Sequence, residues 1–169
     1  MAKQYDQRPP LSLESGKKYT ATIEMETGGT IVAELFPQAA PESVNSFVFL
    51  AGEGYYEGVT FHRVIKGFMA QGGDPTGTGT SGPGYNVPDE VNTNKHIEGA
   101  LAMAKTAAPD SAGSQFFICL TAVPHLDGEY TIFGQVRDGM DTVHAIRERD
   151  PQSDSQPGDA IKAVTITVE

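Results

Sequence analysis

Short apolar runs, cut apart by glycine and proline, constrain this chain more than any other feature. Its 169 residues include 19 glycines and 11 prolines, so turn-forming residues interrupt the apolar pattern throughout. Short runs with a two-residue period are strands rather than helices. Tyr19, Ala21, Ile23 and Met25 alternate with Thr20, Thr22 and Glu24; Gly28 and Gly29 make a turn, and Ile31, Ala33 and Leu35 alternate again. That pattern predicts a hairpin. Further strands are predicted over Thr60–Ile65, Phe68–Gln71, Ala100–Ala104, Gln115–Leu120, Thr131–Val136 and Ala163–Val168. Pro41 to Gly52 differs: proline suits a first helical position, Val44, Phe47, Val48 and Ala51 recur with helical spacing, and Gly52 stops the run. A second, weaker helix is predicted over Asp141–Arg149, with Met140, Val143 and Ile146 on one side. The longest loop runs from Gly72 to Pro88.

Many short strands, two helices and no repeating strand–helix alternation predict a mainly β fold, a closed antiparallel barrel capped by helices. Residues 1–17 are polar and contain Pro9-Pro10, which reads as an extended N-terminal arm. Residues 18–169 read as one domain, long enough to bury a full core.

The composition narrows the function classes. Net charge is −10 and the isoelectric point is about 4.7, which opposes binding to nucleic acid or anionic lipid. The acidic residues are scattered, as on a solvated surface. The single cysteine, Cys119, lies in the apolar run QFFICL and reads as a buried, inert thiol. No apolar stretch approaches the roughly 18 residues of a membrane span. The N-terminus lacks the apolar segment of a signal peptide. A soluble, cytoplasmic monomer without metal or cofactor is the expectation.

Most candidate chemistry fails on context. Gly77–Gly82, GTGTSG, formally matches a dinucleotide fingerprint, but Pro83, Gly84 and Pro88 forbid the helix whose N-terminus would meet a pyrophosphate. His62, His96, His125 and His144 lack zinc-site spacing, and His62 reads as a satisfied core residue. Ser114 sits in no strained nucleophile turn. Asp89, Glu90 and Asp127 show no catalytic partner, and Asp127 has turn chemistry. What remains is FHRVIKGFMAQGGD, Phe61–Asp74, where Arg63 stands among Phe61, Phe68, Met69 and Gln71. An arginine cannot shed its proton, so it can only donate. Periodicity leaves two readings open: a surface strand residue beside core neighbours, or a fixed donor in an apolar pocket suited to a carbonyl or amide substrate.

Tyr56–Asp74, YEGVTFHRVIKGFMAQGGD, resembles the signature segment of the cyclophilins, a family of peptidyl-prolyl cis/trans isomerases. The likeness continues through GALAMA (Gly99–Ala104), GSQFFI (Gly113–Ile118) and LDGEYTIFGQV (Leu126–Val136), and covers Tyr19 to the C-terminus. The resemblance implies an eight-stranded antiparallel barrel closed by two helices, with the active groove on its outer face. It implies a catalytic Arg63, a proline pocket walled by Phe68, Met69, Phe117 and Leu126, and Gln71 against the substrate backbone. Ala104–Lys105 would form a backbone-pairing edge, and Gln115 would line the adjoining groove. His125 stands where the family's best-studied members carry a tryptophan that contacts cyclosporin, so weak cyclosporin binding is implied. Tyr130 replaces a common pocket histidine, and Lys105 a common asparagine, in a segment one residue longer than usual. The implied partners are proline-containing peptides and unfolded or loop segments of proteins, and the implied role is in protein folding. A rival reading makes the same groove a capture module for a proline-containing loop.

Overall fold

The structure, a computed structural model, describes residues 3–169. Eight strands form one antiparallel sheet: β1 Tyr19–Met25, β2 Thr30–Leu35, β3 Arg63–Ile65, β4 Met69–Gly72, β5 Ala100–Met103, β6 Phe116–Cys119, β7 Ile132–Asp138 and β8 Ile161–Val168. Their order across the sheet is β3-β4-β6-β5-β7-β2-β1-β8. The β1–β2 hairpin is the expected one, with Ile23 opposite Ile31 and Ala21 opposite Ala33.

The sheet is an open half-barrel, which corrects the expectation of a closed barrel. Its edges are β3 and β8, and no ladder joins them among the described residues. The physical reason lies in what the segment before β3 pairs with. The strand expected over Thr60–Ile65 keeps only three residues, and Gly58–Phe61 instead meet Asp159–Ile161 through isolated backbone hydrogen bonds of 2.7–2.9 Å. Arg149 then covers the free edge of β3, exchanging two backbone bonds with Val64 at 2.9 and 3.0 Å. That contact also explains the second helix. It was expected to reach Arg149, but α2 spans only Met140–His144, because the chain must straighten to pair with β3.

The first helix, α1, runs over Pro41–Gly52 as expected and lies against β8. It buries Val44, Phe47, Leu50 and Ala51. Phe47 packs on Tyr56, Phe116 and Phe133 at centroid distances of 5.2, 5.7 and 5.3 Å. Aromatic pairs at such separations add roughly 0.5–1.5 kcal/mol each beyond burial.

The central strands bury both faces. Along β6, Phe116 and Ile118 point to the core inside the half-barrel, while Phe117 and Cys119 join a second apolar cluster on its outer side. Neighbouring β5 divides likewise: Leu101 and Met103 face inward, Ala100 and Ala102 outward. Residues 123–130, which include a short 3-10 turn at Pro124–Leu126, help to cover that outer cluster.

Residues 1 and 2 of the expected arm lie outside the described residues. The rest of it runs along α1, where Asn45 Nδ2 donates to the Pro10 carbonyl at 3.1 Å and its Oδ1 accepts from the Ser12 N–H at 3.0 Å.

Phe116 is fully buried and touches the rings of Phe47, Tyr56 and Phe61. Phe116→Ala is expected to cost about 3–5 kcal/mol, the range of large-to-small core changes. Urea denaturation would show this as a lower midpoint at unchanged slope; an unmoved midpoint would refute the packing described.

Candidate active site

Where β3, β4 and β6 adjoin, the two-residue period places Arg63, Gln71 and Phe117 abreast. Arg63 is the Cα partner of Gln71, and Gln71 of Phe117. Val64 turns into the core, so Arg63 and Ile65 must face out. Gly67, at φ 74°, sits in the β3–β4 turn, where the Phe68 N–H donates to the Ile65 carbonyl at 3.0 Å. That turn swings Phe68 back over the outer cluster.

A cavity of about 190 Å³ opens on this outer face. Met69, Phe117 and Phe68 form its apolar side together with Leu126. Arg63, Gln71, Ala104, Lys105 and Tyr130 complete the lining. Small-molecule pockets usually hold about 300–1,000 Å³, so this one fits a single compact side chain. Of the eleven residues named from the sequence, nine line it; Gln115 and His125 stand outside. His125 is exposed at the rim, 6.2 Å from the Phe68 ring.

Hydrogen bonding fixes the amides. Gln115 Nε2 donates to the carbonyls of Gly79 and Ser81, both at 3.0 Å. Its Oε1 therefore faces Gln71, whose Nε2 donates to it at 3.0 Å. Gln71 is left with a free oxygen, an acceptor beside the cavity. Among the described residues Arg63 forms no ion pair, so its donors are unspent. Lys105 is less free. Its Nζ lies 3.5 Å from Asp89 Oδ2 and 5.9 Å from the Tyr130 ring centroid, which holds its stem along the cavity wall. The Ala104 N–H is taken by the Gln115 carbonyl at 3.0 Å, whereas its own carbonyl has no partner among the described residues.

Two buttresses went unread in the sequence. Asp74 is fully buried, and its carboxylate accepts from the backbone N–H of Thr76, Gly79 and Ser81 at 2.8, 2.7 and 3.1 Å and from the Thr76 hydroxyl at 2.8 Å. Burial opposes its charge, yet these donors together hold its carboxyl below the usual range. The GTGTSG segment is thus a loop wound around a carboxylate. Asp74 followed by Thr76 two residues on is an Asx-turn signature, and it was the available signal. Asp127, expected to lack a partner, has one: it accepts from the His96 backbone N–H at 2.7 Å and from ring Nδ1 at 2.9 Å, and these bonds lower its pKa. The His96 ring stacks on Phe117 at 6.0 Å and 11° and so backs the cavity wall.

Other groups stand apart from any chemistry. The Ser114 hydroxyl is buried and donates to the Gly73 carbonyl at 2.7 Å, so it is not poised as a nucleophile. Gly73, at φ 98°, could carry no side chain there, because a Cβ would collide with the Ser114 carbonyl. The Cys119 thiol is buried, and burial pushes it up to about 12. His62 is buried as expected but not satisfied: its Nδ1 has no partner among the described residues. No cluster of metal-ligating side chains occurs among the described residues, nor is any described helix long and apolar enough to cross a membrane.

Burial lowers the His62 pKa; the Asp74 charge opposes that shift, and Arg149 and Arg63 add to it. The unfolded chain therefore takes up a proton near the ordinary 6.5 that the folded one refuses. Stability should fall as pH drops from about 6.5 toward 5, and His62→Phe should flatten that slope in urea titrations at each pH. An identical slope in the variant would show that His62 does not set it.

Residues 21–168 match the family model for cyclophilin type peptidyl-prolyl cis-trans isomerases. A Helicobacter pylori peptidyl-prolyl cis-trans isomerase is 49% identical over 141 residues, covering 81% of this chain and 85% of that protein. The crystal structure of a Cryptosporidium parvum cyclophilin type isomerase superposes with a TM-score of 0.80 at 35% identity, covering 89% of this chain and 98% of that one. That protein has also been solved in the presence of the dipeptide Ala-Pro; this structure superposes with a TM-score of 0.77 at 37% identity, covering 88% of this chain and 98% of that one.

Proposed function

The chain belongs to the cyclophilin-type peptidyl-prolyl cis-trans isomerases, and we propose that it acts on X-Pro bonds in peptides and in unfolded or loop segments of proteins, with Arg63 stabilising the twisted amide. The observation that carries this reading is a guanidinium, with no ion pair among the described residues, at the lip of a 190 Å³ cavity that has one apolar side. The cavity takes the proline ring between Met69, Phe117 and Leu126. Phe68 closes its outer side. Tyr130 contributes an aromatic wall whose hydroxyl can stay solvated.

Rotation about a peptide bond is opposed by amide resonance, with a barrier of roughly 18–20 kcal/mol. The isomers of an X-Pro bond lie within about 1 kcal/mol of each other, so only the barrier needs lowering. Lowering it means binding the twisted amide more tightly than either planar form. At the twist the imide nitrogen regains its lone pair and the carbonyl loses delocalisation. Arg63 can donate to either atom without proton transfer. The free oxygen of Gln71 accepts from a substrate N–H, and the Ala104 carbonyl with the adjacent Lys105 backbone offers an edge to the extended chain.

Magnitudes apportion the work. Each 1.36 kcal/mol, approximately, is tenfold in rate, so a hundred-thousandfold acceleration needs about 7 kcal/mol. One preorganised donor supplies about 2.7–4 kcal/mol. Holding the ring while the preceding residue rotates must supply the rest through orientation. Neither contribution involves a titrating group.

Arg63→Ala is expected to lower kcat/KM by about 100- to 1,000-fold in NMR exchange on an Ala-Pro peptide, with peptide binding retained. Arg63→Lys should recover only part of the loss, since an ammonium lacks the planar fork. Wild-type rates should be flat between pH 6 and 8, to within about twofold. Binding by wild type without turnover would instead make the groove a capture module.

For cyclosporin we propose weak binding, because His125 offers a small, exposed ring at the rim. His125→Trp should tighten it by about tenfold, the worth of a partly buried aromatic. Unchanged affinity in a titration would remove His125 as the cause.

A further inference from the structure

The N-terminal arm precedes the residues that match the family model, which begin at residue 21, yet it reaches the groove. Beyond Gln71 and Gln115 a second cavity of about 770 Å³ opens, sharing Gln71, Ala104 and Lys105 with the smaller one. Its far wall is the loop Gly79–Asn86, and Gln4 of the arm is part of its lining. The arm is docked there by specific contacts. The Tyr5 N–H donates to the Pro83 carbonyl at 2.8 Å, and Gln4 Nε2 donates to the Gly82 carbonyl at 2.7 Å. The Tyr5 ring lies edge-on to Phe49 of α1 at 5.1 Å and to Tyr85 at 6.4 Å. The Lys3 ammonium donates to the Glu53 carbonyl just past the end of α1. Gly84, at φ 97°, has no side chain, and a Cβ there would run into the Tyr5 carbonyl. The loop is thus shaped to receive the arm.

Resting on the isomerase reading, we propose that Gln4, held in place by its neighbours Lys3 and Tyr5, forms part of the outer wall of an extended substrate groove and contacts substrate residues that flank the proline. The chemistry of the cavity defines its occupant. Amide, hydroxyl and backbone groups line it, and Lys105 is its single charged residue. Gln4 spends its Nε2 on the Gly82 and Lys3 carbonyls, which leaves Oε1 to accept from a peptide N–H. An extended polypeptide entering from the proline pocket meets this oxygen after passing Gln71 and Gln115. The occupant is therefore the main chain of the substrate with uncharged or acidic side chains. The arm confers a preference for long substrates over isolated X-Pro dipeptide units.

The test compares wild type, Gln4→Ala and Tyr5→Ala, which releases the arm, on three peptides: a short Ala-Pro peptide, and the same peptide extended by three residues before or after it. Turnover is read by NMR exchange, and binding by the amide resonances of Gln4 and Gly82. Wild type should bind and turn over one extended peptide about three- to tenfold better than the short one, the scale of one hydrogen bond with its ordering. Tyr5→Ala should erase that advantage while leaving the short peptide unchanged, and Gln4→Ala should erase part of it. No advantage for either extended peptide, or an equal loss on all three, overturns the proposal. Absence of wild-type turnover on every peptide, with Gln4 and Gly82 still shifting only for the extended one, overturns the isomerase reading and leaves the arm's role standing.

Discussion

Everything in this molecule depends on the central strands being buried on both faces. In β4, β5 and β6 the side chains alternate between a core inside the half-barrel and an apolar cluster outside it. A strand period of two then converts sequence neighbours into opposite environments: Phe116 packs on Phe47 and Phe61, while Phe117 faces the cavity. A register shift by one residue would exchange the two sets and destroy both core and site at once. The site therefore inherits the rigidity of the sheet. Its apolar residues are core residues of the outer cluster that happen to leave one small volume unfilled.

The polar half of the site is held in a different way. A buried carboxylate, Asp74, gathers the N–H groups of residues 76–81, and the loop so formed offers two carbonyls to Gln115. Gln115 then fixes the amide of Gln71. Each link has one allowed polarity, because a carboxylate only accepts, a backbone carbonyl only accepts, and an amide has two distinct ends. The acceptor beside Arg63 is thus set by a group buried beneath the loop. Arg63 needs no comparable support, since its own strand aims it and nothing neutralises its charge among the described residues.

Acidity is spread over the surface, whereas the smaller cavity carries Arg63 and Lys105 and no carboxylate. The two cations differ in state. Lys105 is engaged by Asp89 and Tyr130 along the wall, while Arg63 at the lip forms no ion pair among the described residues. In the mechanism proposed above, such a fixed donor beside an apolar wall would stabilise charge shift within a neutral group, a task different from that of a hydrolytic centre.

The first hairpin and α1 were legible in the sequence because alternation, a glycine turn and a proline start are local signals. The likeness of Tyr56–Asp74 and three further segments to one family named the residues that the structure gathers around the cavity. What the sequence could not give was contact across distance. Closure failed because residues 58–61 meet Asp159–Ile161, about a hundred residues along the chain, and only three residues are left to β3. The pairing of Arg149 with Val64 shortened α2. His62 looked like a satisfied core residue, and only packing shows its Nδ1 unpartnered among the described residues. His96 meets Asp127 31 residues away, and the Gln71–Gln115 bond spans 44. The sequence by itself determined which residues alternate, turn and can carry chemistry, because those properties belong to single residues and their neighbours. Which face each strand presents, which polar groups satisfy one another and where the arm lies were decided by tertiary structure, because buried hydrogen bonds and volumes are shared between distant segments.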